Sequence, residues 1–202
     1  MNIAVIAHKA SNNEIISFSP DVNWIHTVLS ELNQHEFSAV LNLNENAFEE
    51  DYSGIGHPVF INSVAHTLIE KNMPQHVVRI NGWNGFLERD TWEIAGTISD
   101  DHEKILKVLN KKYIAVADEP GLVSARILAM IINEAYFARQ DKVSTEKSID
   151  IAMKLGTNYP FGPFEWKDKI GANNILTLLN KLQQSDTRYC PSTLLIEEAN
   201  RS

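Results

Sequence analysis

The apolar pattern changes period near residue 118, and that change bounds the fold more tightly than any other feature of the chain. Ahead of it lie short continuous apolar runs. Residues 2–7 (NIAVIA) form one of them, the kind of run a strand buried on both faces requires. Residues 38–43, 59–61, 77–81, 92–95 and 113–117 read as further strands. Residues 24–32 carry Trp24, Ile25, Val28, Leu29 and Leu32 at helical spacing, and residues 101–110 do the same with Ile105, Leu106, Val108 and Leu109. Alternating strands and helices predict a mainly parallel sheet with helices on its faces. Beyond residue 118 only the helical period remains. Leu122, Val123, Ile127, Leu128, Ile131, Ile132 and Ala135 predict a long helix that is apolar around much of its circumference, and so buried on more than one side. The reading is an α/β unit over residues 1–117 and an all-helical unit over residues 118–202.

Local signals set the helix ends in the second half. Pro120 suits a first helical turn, where its missing N–H costs nothing. Ser144-Thr145 offers an N-cap to a helix carrying Ile149, Ala152 and Met153, and Gly156 is placed to end that helix in a left-handed conformation. Residues 164–170 and 174–184 complete the helical set, the latter with Ile175, Leu178, Leu179 and Leu182 aligned.

Composition removes several function classes. A net charge of −8 without a basic stripe disfavours nucleic acid, whose phosphates call for clustered Lys and Arg. No apolar run approaches the roughly 20 residues of a membrane-spanning helix, and the N-terminus lacks the basic region of a signal peptide. Cys190 is the only cysteine, which fits a reducing cytoplasm. The seven histidines (8, 26, 35, 57, 66, 76 and 102) form no metal-ligand spacing. His66 and His76 are candidate bases or ordinary surface histidines.

The helical half carries a dense set of motifs. Asp118-Glu119-Pro120-Gly121-Leu122 is followed by Arg126-Ile127-Leu128 and Asn133-Glu134-Ala135. Then come Ile149-Asp150-Ile151-Ala152-Met153-Lys154-Leu155-Gly156, Tyr159-Pro160-Phe161-Gly162-Pro163-Phe164-Glu165-Trp166 and Asp168-Lys169-Ile170-Gly171. The run closes with Arg188-Tyr189-Cys190-Pro191-Ser192-Thr193-Leu194-Leu195. In order and spacing, residues 116–196 closely resemble the C-terminal domain of the 3-hydroxyacyl-CoA dehydrogenases. The resemblance implies a Rossmann-like N-terminal domain, a helical C-terminal domain of the 6-phosphogluconate/3-hydroxyacyl-CoA dehydrogenase type, and a homodimer formed through the helical domain. It also implies that Asp150, Glu165 and Asp168 are architectural.

The first half departs from the family. Where the resemblance calls for G-x-G-x-x-G after the first strand, this chain has His8-Lys9-Ala10-Ser11-Asn12-Asn13, without a glycine to let the backbone approach a pyrophosphate. Gly54-Ile55-Gly56 follows an acidic segment and reads as a loop. Asp21, Glu31 and Glu36 are candidates for a ribose-binding acid, but none follows a clear second strand. The N-terminal unit is read as shortened and degenerate, with no cofactor bound; NAD enters only if the chain is an active enzyme.

The catalytic segment departs too. Ile80-Asn81-Gly82-Trp83-Asn84-Gly85 aligns with the family's L-H-F-F-N-P, and Trp92-Glu93-Ile94 with its V-E-V, twelve residues separating Asn81 from Glu93. The resemblance gives Glu93 the role of orienting a histidine base, but Asn81 occupies the base's place. An amide donates and accepts hydrogen bonds and does not titrate near neutrality. Asn84 is retained. Ser63 is the counterpart of a substrate-contacting serine or the N-cap of the next helix, and Ala125, beside Arg126, stands where the family has a substrate-touching asparagine. Trp83, Phe86 and Trp92 line a remnant acyl groove or fill the space of the absent cofactor. Two functions follow as expectations: a catalytically silent binding or regulatory protein of fatty acid metabolism that holds an acyl-CoA or a partner, and an active NAD-dependent 3-hydroxyacyl-CoA oxidoreductase with an altered site.

Overall fold

A computed structural model describes residues 1–7, 22–34 and 36–201. The chain forms two compact units, Met1–Leu122 and Val123–Ser202.

The first unit is built on a seven-stranded sheet. Its strands are β1 (Asn2–Ile6), β2 (Asn23–His26), β3 (Val40–Asn42), β4 (Val59–Asn62), β5 (Val77–Ile80), β6 (Thr91–Ala95) and β7 (Lys112–Ala115), in the order β2-β1-β3-β4-β5-β6-β7. All neighbours are parallel except β5 and β6. β1, β3, β4 and β5 are apolar nearly throughout and almost wholly buried, as strands covered on both faces must be. One face gathers Ile3, Val5, Leu41, Phe60, Val78, Ile80, Trp92 and Ile94 against Ile105, Leu106 and Leu109 of the α1 region (α1, Asp100–Val108). The other gathers Ala4, Ile6, Val40, Val59, Ile61 and Val77 against Leu32, Ala47 and Tyr52. The links from β3 to β4 and from β4 to β5 carry single 3₁₀ turns, Ala47–Glu49 and Ile69–Lys71.

Residues 24–32 depart from the helical expectation. Asn23–His26 is β2, pairing Asn2 with Asn23 through Val5 with His26, and a 3₁₀ turn follows at Leu29–Gln34. Trp24 and Ile25 suit a strand as well as a helix, and the ladder to β1 supplies backbone partners that a local period cannot foresee.

The second unit contains α2 (Ser124–Gln140), α3 (Glu146–Thr157), α4 (Pro163–Ile170), α5 (Ala172–Gln183) and α6 (Thr193–Ala199). Leu128, Ala129, Ile132 and Tyr136 of α2 are buried, as are Phe164, Trp166, Ile175, Leu178, Leu179 and Leu195 of the other helices. Asn133 joins α2 to the chain entering α6: its Nδ2 donates to Cys190 O at 2.9 Å and its Oδ1 accepts from Ser192 N at 2.8 Å. Asp150, buried on α3, accepts the Phe164 N–H at 2.8 Å and so secures the start of α4.

Three local expectations change here. Pro120 precedes a left-handed turn at Gly121 and Leu122 (φ 85° and 50°) rather than opening the helix, because residues in that conformation cannot lie within a right-handed helix. Gly156 lies inside α3, and Asn158 (φ 55°) takes the left-handed cap, a conformation asparagine tolerates. Finally, α2 buries one face, through Ala125, Leu128, Ala129, Ile132 and Tyr136, rather than more than one, and Ile127 remains 55% exposed. Thr145 caps α3 as the sequence predicts, its hydroxyl accepting from Ser148 N at 3.2 Å.

Candidate functional site

In an open α/β sheet, ligands gather beyond the carboxyl ends of the strands, where the order reverses. Here the chain runs from β1 outward to β2 and then returns to β3 on the other side of β1. The reversal therefore lies between β1 and β3. β1 ends at Ile6; His8-Lys9-Ala10-Ser11-Asn12-Asn13, where the sequence lacks the family's glycines, lies outside the described residues.

The carboxyl ends of β3, β4 and β5 carry a buried asparagine each, at 42, 62 and 81. Asn42 Nδ2 donates to Tyr52 Oη at 2.8 Å, and that hydroxyl donates to Ala47 O at 2.7 Å, tying the loop after β3 to the sheet. Burial holds the Tyr52 phenol far above its usual pKa, so it stays a neutral donor. Among the described residues, the Asn44 side-chain oxygen is buried here without a hydrogen-bond partner.

Asn62 Oδ1 accepts Gly82 N at 3.1 Å. A Cβ at residue 82 would lie 2.6 Å from Asn62 Cγ, so glycine is needed where the family motif has phenylalanine. Nothing in the sequence pattern singled out Asn62, because its partner lies twenty residues away.

β5 and β6 run antiparallel with Arg79 opposite Ala95 and Ile80 opposite Ile94. One step further, the same register sets Asn81 opposite Glu93, which explains the twelve-residue spacing as the arithmetic of a hairpin. Asn81 is buried, its Oδ1 accepting Trp83 N at 3.2 Å. Glu93 is half-buried, and its charge acts on Arg89, whose guanidinium burial holds below its usual pKa. Asn84 is half-buried in the turn that follows β5. Trp83, Phe86 and Trp92 are all nearly buried. The Trp92 indole donates to Leu87 O at 3.1 Å, and Arg89 covers the Phe86 ring at 4.2 Å.

Ser63 follows β4 and is buried, with its hydroxyl donating to His66 O at 2.8 Å. That proton closes the turn, so toward a ligand the oxygen offers only its lone pairs. His66 Nδ1 meets Glu70 Oε2 at 3.2 Å, and the imidazole stacks on Phe48 at 4.1 Å. His76 Nε2 lies 3.1 Å from Tyr52 O. Ala125 and Arg126 belong to the helical unit. There Ala125 is fully buried on α2, and the Arg126 guanidinium lies 5.8 Å from the centre of the Tyr189 ring. No three His, Cys, Asp or Glu side chains among the described residues gather as metal ligands, and none of the described helices is long and apolar enough to cross a membrane.

Among the described residues, the end of the second strand offers no acid for the adenosine ribose of a dinucleotide. The acid that would hold the adenosine ribose belongs at the end of the second strand. That strand, β2, ends at His26 with Thr27 next, while Glu31 falls in the 3₁₀ turn beyond. Asn81 cannot take a proton from an alcohol as hydride departs.

A Rossmann-like sheet unit followed by an all-helical unit defines a two-part architecture of the Rossmann-like plus helical type. Residues 121–200 match the family model described as "3-hydroxyacyl-CoA dehydrogenase, C-terminal domain". The 3-hydroxyadipyl-CoA dehydrogenase of Escherichia coli (strain K12) is 45% identical over 96 residues, 46% of this chain and 20% of that protein. A 3-hydroxybutyryl-CoA dehydrogenase of Bradyrhizobium diazoefficiens is 30% identical over 171 residues, 81% of this chain and 56% of that protein. Among solved structures, an Escherichia coli K12 3-hydroxybutyryl-CoA dehydrogenase aligns with 70% of this chain and 31% of its own, at 36% identity and a TM-score of 0.60. Mycobacterium tuberculosis FadB2 shares the fold over 98% of this chain and 93% of its own, at 13% identity and a TM-score of 0.76. The helical unit carries the C-terminal domain of the 3-hydroxyacyl-CoA dehydrogenase family. The chain spans between a fifth and a little over half of the length of these two curated relatives.

Proposed function

We propose that this protein is a 3-hydroxyacyl-CoA dehydrogenase-like member of fatty acid metabolism that binds an acyl-CoA without oxidising or reducing it, in a binding or regulatory role. What supports the reading is the Ile80–Ile94 pair, whose register, carried one step on, sets Asn81 opposite Glu93, where the family pairs a histidine with that glutamate. Losing a general base costs about 10²–10⁴ in rate, and the missing ribose acid and glycines remove the hydride carrier's seat as well. What remains suits recognition. Buried amides at 42, 62 and 81 and the unpartnered Asn44 oxygen sit at the end of the sheet where ligands bind, and an unsatisfied buried acceptor favours any ligand that brings a donor. A homodimer through the helical unit belongs to the same reading. Ile127, Ile151 and Leu155 stand 55%, 44% and 82% exposed there, apolar surface that a second copy would cover.

One observation favours the enzymatic alternative, an NAD-dependent oxidoreductase with an altered site. His66 is held by Glu70 in the turn that begins at Ser63, a carboxylate–imidazole pair able to act as a base. Titration calorimetry with acetoacetyl-CoA and an NADH oxidation assay separate the two readings. Binding without NADH consumption above background is expected. Turnover that disappears in His66→Ala would overturn the proposal.

A further inference from the structure

Arg79 lies in the middle of β5 with its side chain wholly buried. Its Nε donates to Asp118 Oδ1 at 2.5 Å, and its Nη1 donates to Ser63 O at 2.9 Å and His66 O at 3.1 Å. Its Nη2 donates to Glu119 O. One guanidinium thus joins the turn after β4 to the segment that follows β7. Two further bonds cross between the same segments. Asp118 Oδ2 accepts Leu68 N at 2.9 Å, and Gly121 N donates to Val64 O at 2.7 Å.

From this geometry we infer that the Ser63–Ile69 turn and residues 118–121 form a single latch, held by Arg79 and Asp118, in which neither segment opens without the other. A guanidinium keeps its charge at any ordinary pH, so inside the sheet unit it must remain surrounded by acceptors. Lifting either segment takes roughly half of those acceptors away and leaves the charge under-paired. The cost of opening one segment therefore depends on the other, which is the condition for a cooperative local unfolding unit. Because Ser63 lies in the latch, its placement at the candidate site is linked to where the chain leaves the sheet unit. This inference is independent of whether the site binds an acyl-CoA.

Amide hydrogen exchange on the whole chain, read residue by residue by NMR, tests it. Leu68 and Gly121 report the two crossing bonds. Val40 and Val59, which donate to Pro58 O and His76 O, serve as controls in the same sheet. In mild denaturant, Leu68 and Gly121 should show one opening free energy. Arg79→Met should speed both together by about tenfold or more, with the controls nearly unchanged. Asp118→Asn, which keeps a side-chain oxygen for Leu68 N, provides the same comparison if Arg79→Met does not fold. Gly121 keeping its protection while Leu68 loses it would overturn the latch, and so would all four amides accelerating alike.

Discussion

The Asn62 side chain occupies the space that any residue larger than glycine would need at position 82: Asn62 Cγ lies 2.6 Å, and Oδ1 2.8 Å, from where a Cβ on Gly82 would be. Gly82→Ala therefore pushes Asn62 off the Gly82 N–H it accepts. Over-packing costs about 1–3 kcal/mol, and the displaced hydrogen bond adds to it. A loss near 2 kcal/mol is expected in denaturant unfolding. Asn62→Gly in the same chain removes the Cβ, which lies 2.8 Å away, together with Cγ and Oδ1, and should relieve the clash, so the double variant falls well short of additivity.

Asn81→His is the direct probe of the proposed silence. A restored base alone would be worth roughly 10²–10⁴ in rate if the cofactor's seat survived. With no acid at the end of β2, the expected change in NADH oxidation with acetoacetyl-CoA is less than about tenfold. A gain of three orders of magnitude, abolished again by Glu93→Gln, would mean that the dinucleotide site is intact.

How much of this was legible beforehand depended on how far each residue's partner lies along the chain. The apolar runs of β1, β4 and β5 announced buried strands because burial on both faces is written in consecutive residues. The spacing of Asn81 and Glu93 was equally visible, being set by one hairpin. β2 was not, because its four residues fit either period and only the ladder to β1 decides between them. Arg79 was hidden for the same reason: a charge within an apolar run looks like an exposed strand position until Asp118, 39 residues later, is brought beside it. Left-handed Asn158 displaced Gly156 as the end of α3 because asparagine at that turn costs little, so the helix runs one residue past the glycine.

His102 gives the sheet unit a pH response. The imidazole is buried, with Nδ1 accepting from Ser99 N at 3.3 Å and Nε2 facing His76 O at 3.0 Å, an arrangement that needs the neutral ring. Burial, the leading cause, lowers its pKa in the folded state. The unfolded chain therefore binds this proton more readily than the folded one. Stability contributed by the group is intact above the unfolded value of about 6.5 and falls as the pH drops through it toward the lower folded value. Melting temperature should decline from pH 7.5 to pH 5.5. His102→Gln keeps a capping-box side chain at that position without a titrating ring. It should flatten the decline, whereas an unchanged slope would assign the acid sensitivity elsewhere.

In the helical unit, stability should hinge on one amide. Asn133 is buried and uses both ends of its side chain, donating to Cys190 O and accepting from Ser192 N. Leucine has a similar volume and keeps the apolar packing of α2, so Asn133→Leu isolates the hydrogen bonds. It leaves the Ser192 N–H and the Cys190 carbonyl without this partner, at a cost of about 1–3 kcal/mol for a stranded buried group. Asn133→Asp restores the acceptor for Ser192 but sets a carboxylate oxygen against the Cys190 carbonyl, so it should be no better than leucine at neutral pH. On acidification the aspartate should recover stability as it protonates and regains a donor, while the leucine variant stays flat. Chemical denaturation of both variants at pH 7 and pH 4.5, read against the unsubstituted protein at each pH, separates a lost donor from a lost fit.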